Sequence, residues 1–435
     1  MKKVLQIPRH FPTQLLDRIM FWGSMQCEMI IQLEMEFSEQ IDADRLAKAA
    51  ELALDAEPIL GCRFVSHWRK PYWERMNSGS SNTFSEAKTE EEFESFKVAS
   101  ADVYAGPQSH VCLWNYANGA RLLLKVSHYV ADATGVKDVA RVISSIYYRL
   151  SHEPSYRPEP NIYGSRSAYQ VLKYVPKHRY AGFYFRFLHN DIQINRTPER
   201  TLTLPFPEGQ SESLSFLHRF LPNDFLSRIV QYGRRHEATI NDLLLTAFFR
   251  ALASTAGWDG HEQLRLTSSI DLRRYIPNTQ ASAVANLSVW ADGWPNLGTD
   301  LGQDFSSTLD KITSMTQRYK QNFGGIDTLI GVLVGLGPLP YNVAMNSVKR
   351  SYQQRRAKGK WANGLTNTGP IDPTTVTFGS KPVMARLLPP PFYPPLFIVG
   401  ISGYEGTLTL SSGVYSIQRG LAERFLDKMV AELPS

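Results

Sequence analysis

The sequence lacks the patterns that mark metal sites, disulfide frameworks, nucleophile elbows and phosphate loops. Only three cysteines occur among 435 residues, and no two of them have Cys-x-x-Cys spacing. The ten histidines include no His-Glu-x-x-His pair, and the chain has neither a Gly-x-Ser-x-Gly elbow nor a Gly-rich loop ending in Lys-Ser/Thr. We therefore predict that the protein binds no metal.

Long apolar runs are missing as well. The longest apolar stretch, residues 326–340, is broken by glycine and proline and is shorter than the roughly 20 residues of a membrane span, so we interpret it as a buried helix. The mean hydropathy is -0.27, and the N-terminus is too polar for a signal peptide. We expect a cytoplasmic monomer without a transmembrane segment, although peripheral membrane contact remains open.

The charge balance is basic, with a formal net charge of +6 and a pI near 9.0. The positive charges are dispersed except in residues 349–360, which contain six basic residues and no acidic one. This basic segment fits the phosphates of coenzyme A, the acidic helix of a carrier protein, an anionic membrane, or simply a solvated helix and loop. It contains a single aromatic residue, Tyr352, which is too few for base stacking along the segment, so nucleic acid is not an expected partner.

A histidine and an aspartate four positions apart form the most informative segment. His128 follows residues 111–116 and 120–126, two runs of β-forming residues joined by an Asn-Gly turn signal. Apolar residues then recur at helical spacing over residues 136–150. We therefore expect His128 where a strand gives way to a helix, at a rim that a substrate can reach.

The chemistry of this pair allows more than one role. A neutral imidazole, with a reference pKa of about 6.5, is well suited to act as a general base. Asp132 either orients the ring, as in a triad, or supports the backbone by pairing with a distant arginine. The pair is also compatible with a buried core histidine and a carboxylate at the start of a helix. The other histidines are scattered, so His128 also stands out by elimination.

Further segments carry a family resemblance in a fixed order along the chain. They are residues 57–64 (EPILGCRF), 238–245 (ATINDLLL), 269–275 (SIDLRRY), 286–288 (NLS) and 366–370 (TNTGP). Together with His128 and Asp132, they resemble motifs of the condensation-domain and chloramphenicol-acetyltransferase-like acyltransferase superfamily, which includes nonribosomal peptide condensation domains, BAHD enzymes, wax ester synthases and alcohol acetyltransferases.

The resemblance implies an α/β fold of two chloramphenicol-acetyltransferase-like lobes, a pseudo-dimer with a central tunnel. We assign residues 1–180 to the N-terminal lobe and residues 181–435 to the C-terminal lobe. The proline-rich residues 151–215 are interpreted as the crossing between the halves. Beyond a first helix at residues 41–56, the patterns predict strands at 213–221, 265–272, 374–378, 396–401 and 407–414, and helices at 222–235, from residue 241, at 305–323 and at 421–433.

The resemblance also implies site residues. His128 would be the catalytic base of an acyltransferase, while Asp132, Arg273 and Gly135 would have structural roles at the active site. Arg274 is the neighbouring alternative to Arg273, but alternation along a strand would let only one of the two reach the aspartate.

Two positions depart from the family motif: Ser127 occupies the position of its first histidine, and Ala133 occupies the position of its glycine. We expect Ala133 to narrow the tunnel. Candidate substrate or oxyanion contacts are Ser127 and Asn367, the latter by location only. No residues for binding a cofactor can be named.

Three function classes remain. The first is a free-standing acyltransferase that joins an acyl group from acyl-CoA to a small-molecule amine or hydroxyl acceptor, in secondary-metabolite or lipid biosynthesis. The second is a stand-alone condensation enzyme that takes its donor from an acyl or peptidyl carrier protein. In both, the thioester is a co-substrate and no cofactor is bound. The third is a noncatalytic binding or scaffold protein of the same fold.

Overall fold

The computed structural model describes residues 6–77, 82–207 and 213–434. Its elements up to residue 196 are β1 (His10–Pro12), α1 (Leu15–Gly23), β2 (Ile30–Phe37), α2 (Ala43–Ala56), β3 (Cys62–Val65), β4 (Tyr72–Arg75), β5 (Phe84–Glu86), α3 (Glu90–Val98), β6 (Ser109–Tyr116), β7 (Gly119–Ser127), α4 (Ala133–His152), α5 (Tyr169–Leu172) and α6 (Tyr180–Arg196).

The remaining elements are β8 (Leu214–Leu221), α7 (Asn223–Arg235), α8 (Ile240–Ala256), β9 (Leu264–Arg265), β10 (Thr267–Asp271), β11 (Ser288–Ala291), β12 (Asn296–Gly298), α9 (Phe305–Gln321), α10 (Ile326–Gly335), α11 (Tyr341–Ala357), β13 (Gly364–Pro370), β14 (Met384–Leu388), β15 (Ile398–Tyr404), β16 (Thr407–Tyr415) and α12 (Arg419–Ala431). Short 3-10 turns connect several of them.

The first large sheet has the strand order β14-β2-β7-β6-β5. The hairpin β6-β7 closes where Tyr116 pairs with Gly119, as the Asn-Gly signal predicted. Helices α2 and α4 pack against each other and against this sheet through buried apolar residues such as Leu46, Val139 and Ile143. Their apolar positions recur every three or four residues, which places them on one face of each helix. The sheet thus fixes the end of β7 against the start of α4.

The second large sheet has the strand order β11-β10-β13-β15-β16-β8. Its centre is parallel, since β13 pairs in parallel with both β10 and β15, whereas its outer pairs are antiparallel. Helices α8 and α12 cover it through a separate apolar core that includes Phe248 and Phe425. Two smaller sheets, β1-β4-β3 and β12-β9, complete the strand pairing.

One strand from late in the chain completes the first sheet. β14 pairs antiparallel with β2, with Met384 opposite Glu36 and Leu388 opposite Gln32. A third apolar core, which includes Leu16, Phe183 and Ile326, joins α1 to α6, α10 and the β10-β11 region. The two halves are therefore tied together by a shared strand and by a shared core. The lobe boundary between residues 180 and 181 stays a prediction.

Two sequence-based strand predictions are corrected. Residues 374–378 do not form a strand, because Asp372 accepts hydrogen bonds from the backbone N–H of Thr374 at 2.9 Å and from its hydroxyl at 2.7 Å, which closes a 3-10 turn instead. The predicted strand 265–272 is divided into β9 and β10 and ends at Asp271. The other predicted strands and helices are present, with ends shifted by a few residues.

The apolar residues 326–340 form a helix only as far as Gly335, with Ile326, Leu329 and Ile330 buried. In the described part of the chain, no helix has both the length and the apolar character needed to cross a bilayer. The basic segment lies on the C-terminal half of α11 and the loop after it. Of its six cations, Arg355 is paired with two aspartates and Lys360 donates to backbone carbonyls, while the other four are exposed.

Candidate active site

His128 follows the last residue of β7 and is held by its backbone from two sides. Its N–H donates to the carbonyl of Met29 at 2.8 Å, and its carbonyl accepts from the side-chain amide of Asn286 at 2.9 Å. The residue is 7% exposed. Its position is therefore fixed by both halves of the chain before any ligand binds.

The ring of His128 has a defined tautomer. Nδ1 lies 2.9 Å from the carbonyl oxygen of Ala131, which can only accept, so the proton resides on Nδ1. Nε2 is left without a proton and is free to accept one. Burial lowers the pKa of His128 below its usual value, although the Ala131 carbonyl and the Asp132 carboxylate act in the opposite direction. The imidazole is therefore neutral at pH 7 and basic at Nε2.

Asp132 does not contact the imidazole but organises the backbone around it. One carboxylate oxygen, Oδ1, accepts from the N–H of Gly135 at 2.9 Å and thereby caps α4. The other, Oδ2, accepts from the N–H of Leu287 and the hydroxyl of Ser288, both at 2.8 Å, and from Arg273 Nη1 at 2.7 Å. The aspartate thus joins the start of α4 to the segment that leads into β11.

Arg273 is the only counter-charge within salt-bridge distance of Asp132 among the described residues, and it is 1% exposed. Its other terminal nitrogen donates to the carbonyl of Ala285 at 2.9 Å. Burial alone would raise the pKa of Asp132, but the charge and hydrogen bond of Arg273 hold that pKa below its usual value. The carboxylate is therefore ionised and cannot relay protons.

Arg273 and Arg274 differ in burial for a reason other than strand alternation. They do not lie on a strand, because the Asp271 side chain accepts from the N–H of Arg273 at 2.9 Å and starts a 3-10 turn there. The turn directs Arg273 inward, whereas Arg274 is exposed. The alternation of strand residues, from which only one arginine was expected to reach Asp132, does not apply here.

Gly135 allows the two halves to meet closely. A Cβ atom at this position would lie 3.0 Å from the Ala285 carbonyl oxygen and 2.9 Å from the Ala131 side chain. Both neighbours are held by hydrogen bonds to the site, since the carbonyl of Ala131 accepts from His128 and that of Ala285 accepts from Arg273. A side chain at position 135 would therefore push the segment that holds Asp132 away from α4.

His128 lies where two cavities meet. The larger one, here called the apolar cavity, has a volume of about 260 Å³ and is lined by apolar residues such as Ile19, Met29 and Phe392. The smaller one, here called the narrow cavity, has a volume of about 50 Å³. Both also have Met20 and Trp290 in their walls. The base is therefore accessible from two directions.

A third cavity continues the path from the narrow cavity toward the surface. This polar cavity, of about 380 Å³, is lined by polar and charged side chains that include Asp271, Arg274 and Lys320. It shares Ser269 and Ala133 with the narrow cavity, so Ala133 stands at the passage between them. The two approaches to His128 thus differ in chemistry, one being apolar and the other polar.

Ser127 and Asn367 lie outside the two cavities that His128 lines. Ser127 borders a separate cavity of about 10 Å³ with Lys125, and Asn367 is exposed at the polar cavity, where its Oδ1 accepts from the N–H of Gly369 at 3.0 Å. Within β13, adjacent residues point to opposite faces, which separates Asn367 from Thr366. The roles of Ser127 and Asn367 as substrate or oxyanion contacts stay predictions.

Three residues near His128 could not be identified from the sequence. Asn286 belongs to one of the segments that carry the resemblance, but nothing indicated that its amide would hold the His128 carbonyl. Met20 and Trp290 come from α1 and β11, more than 100 residues away from the motif. Within the described ranges, no cluster of three or more histidine, cysteine, aspartate or glutamate residues is arranged to hold a metal ion.

Known proteins resemble this chain in structure rather than in sequence. No family model and no curated protein matches the sequence. Among solved structures, polyketide synthase associated protein 5 from Mycobacterium tuberculosis is similar, with 15% identity, a TM-score of 0.65, and coverage of 98% of this chain and 99% of that one.

Condensation domains show the same likeness. The first condensation domain of the calcium-dependent antibiotic synthetase has 15% identity and a TM-score of 0.68, covering 99% of this chain and 98% of that one. The condensation domain from a monacolin K polyketide synthase has 12% identity and a TM-score of 0.65, covering 99% and 97%. The predicted fold class is confirmed: the chain has the two-lobed, chloramphenicol-acetyltransferase-like fold of the condensation domains.

Proposed function

We propose that the protein is an acyltransferase that moves an acyl group from a thioester to an amine or hydroxyl acceptor, with His128 as the general base. The observation that carries this proposal is the state and place of the ring: Nδ1–H is bonded to the Ala131 carbonyl, which leaves Nε2 unprotonated, and His128 lines two cavities. The fold supports a condensation or acyl-transfer type of reaction in biosynthesis. The thioester donor is acyl-CoA or a phosphopantetheinyl carrier protein.

In the proposed step, Nε2 of His128 takes the proton of the acceptor as its nitrogen or oxygen attacks the carbonyl carbon of the thioester. The tetrahedral intermediate then collapses, the carbon–sulfur bond breaks, and the proton passes from the imidazolium to the leaving thiolate. Asp132 stays ionised and paired with Arg273, and stabilises the imidazolium by its charge without taking a proton. No acyl-enzyme is required.

The decisive experiment measures thiol release from a panel of acyl-CoAs and acyl carrier proteins, each with pooled amine and alcohol acceptors. We expect His128→Ala to lower the rate by about 10²–10⁴-fold, the usual contribution of a general base. His152→Ala is the matched control, because His152 is an exposed histidine at the far end of α4. Its rate should equal that of the native chain.

The pH dependence gives an independent test of the base. Since the pKa of His128 is lowered, the imidazole stays unprotonated at pH values below its ordinary range, and thiol release should fall only at pH values below about 6.5. Equal rates in the native chain and in His128→Ala would refute the role of the base. If neither folded chain releases thiol from any donor in the panel, the result would favour a noncatalytic binding protein.

A further inference from the structure

A second large cavity adjoins the apolar cavity, and the proposed reaction does not use it. This side chamber has a volume of about 520 Å³ and lies between α1, α6, β11, α10 and α11. Its wall shares Met20, Trp290 and Val348 with the apolar cavity, but His128 does not line it. The chamber is therefore one cavity removed from the reacting centre.

The chamber has a mostly apolar surface without a free cation in its described wall. Its lining includes Phe187, Leu188, Ile194, Val332, Leu336 and Val348. Each of the four charged residues in its described wall is in an ion pair: Asp191 and Asp292 with Arg355, and Asp327 with Arg186 at 2.9 Å. An anionic ligand would find no free cation in the described wall, whereas a hydrocarbon would lose only contact with water.

The same ion pairs hold the chamber open. Arg355 of α11 bridges Asp191 of α6 and Asp292 at the end of β11, so α11 is fixed across the junction between the chamber and the apolar cavity. Protein interiors contain few voids larger than a water molecule, while ligand pockets typically have volumes of about 300–1,000 Å³. The chamber has the size of a ligand site.

We propose that the side chamber binds the linear hydrocarbon tail of a substrate whose reactive group lies at His128. The inference rests on the proposed acyl transfer, and it names the substrate class as one with a long aliphatic chain, in place of a short acyl group. The tail belongs either to the acyl group or to a fatty alcohol or amine acceptor. The polar cavity on the other side of His128 receives the polar partner. The rim of the chamber, at the exposed Asn190, Gly335 and Ser347, leaves room for the chain end.

Binding can be measured without turnover. A dansyl-labelled undecanoate probe would be displaced by butyrate, octanoate, dodecanoate and hexadecanoate, using the full native chain and His128→Ala. We expect the affinity of both chains to rise with length, by at most roughly fourfold per buried methylene. Free fatty acids suffice because the tail alone is expected to occupy the chamber, whose described wall offers no free cation to a carboxylate.

Ser351 and Ser347 offer substitutions that fill the space. Ser351 is exposed and lines both the chamber and the apolar cavity, whereas Ser347 lines the chamber alone. In Ser351→Trp and Ser347→Trp, hexadecanoate should bind no more tightly than octanoate. Gln353→Trp, on the exposed surface of the same helix and outside these cavities, should keep the native length dependence. Thermal melting confirms that each variant is folded.

Two results would overturn the inference: native affinity independent of chain length, or a native length dependence in both serine variants. These are distinct from failure of the proposed function. Length-dependent binding without thiol release from any donor would support tail binding in the chamber and contradict acyl transfer. Thiol release through His128 without length-dependent binding would support acyl transfer and contradict tail binding. Turnover with fatty acyl donors or with fatty alcohol and amine acceptors then shows which substrate carries the tail.

Discussion

Two buried carboxylates, Asp132 and Glu34, differ in the groups that they bind. Asp132 binds backbone N–H groups as well as a cation, whereas Glu34 binds cations alone. Glu34 in β2 is fully buried and is bound by cations alone: Lys97 at 3.0 Å, Arg386 at 2.9 Å and Arg121. Asp132 has one cation and three further donors, two of which are backbone N–H groups.

The difference separates two kinds of structural importance. Glu34 has redundant counter-charges, and it lines none of the cavities near His128. Asp132 depends on a single arginine, and its amide partners belong to the segments that position His128. Loss of Glu34 should therefore affect stability alone, whereas loss of Asp132 should affect stability and activity together.

The largest difference is expected when one arginine is removed from each carboxylate. Arg273→Ala leaves Asp132 as a buried charge without a cation and should lower the free energy of unfolding by about 3–5 kcal/mol. Arg386→Ala leaves Glu34 with Lys97 and Arg121, so its effect should be no more than about half as large. Urea unfolding monitored by tryptophan fluorescence measures both. Equal losses would show that the extra cations of Glu34 provide no redundancy.

The next difference concerns activity. Asp132→Asn keeps the shape of the side chain but removes the charge that binds Arg273, and it should lower thiol release by about tenfold or more, since loss of 1.4 kcal/mol of positioning already gives a factor of ten. Glu34→Gln should leave the rate unchanged at a temperature where the variant is folded. A rate for Asp132→Asn equal to that of the native chain would mean that the aspartate does not position His128.

The smallest difference should appear in the response to acid. The pKa of each carboxylate is held below its ordinary value by cations in the folded state, despite burial. Each therefore contributes stability that is present above its unfolded pKa of about 4 and is lost as the pH falls toward its folded pKa. Glu34→Gln removes one such group. Between about pH 5 and pH 3, the variant should lose less stability than the native chain in urea unfolding.

Much of the frame around the site could be predicted from local patterns. The hairpin before His128 and the helix after Asp132 follow from an Asn-Gly turn and from helical spacing of apolar residues, both of which depend on neighbours in the sequence. The meeting of Asp132 with Arg273 was expected only from a family resemblance. No spacing within the sequence indicates a contact across 141 residues.

Other expectations depended on local context that the sequence does not show. Ser127 and Asn367 were chosen because they adjoin the motifs; each lines a cavity other than the two that His128 lines, and their contact with a substrate stays a prediction. Arg273 and Arg274 were treated as strand residues, whereas the Asp271 side chain starts a turn at that point. Trp290 and Met20 could not be found, since only the packing of α1 against β11 brings them to His128.

The pairing of β14 with β2 has a consequence for synthesis on the ribosome. More than 300 residues separate the two strands, so at about 5–20 residues per second the edge of β2 waits for tens of seconds before its partner emerges. During that interval the open edge can pair with other chains. The protein is therefore most prone to aggregation after its N-terminal half has been synthesised and before β14 emerges. A chain truncated before β14 would keep the edge of β2 open permanently.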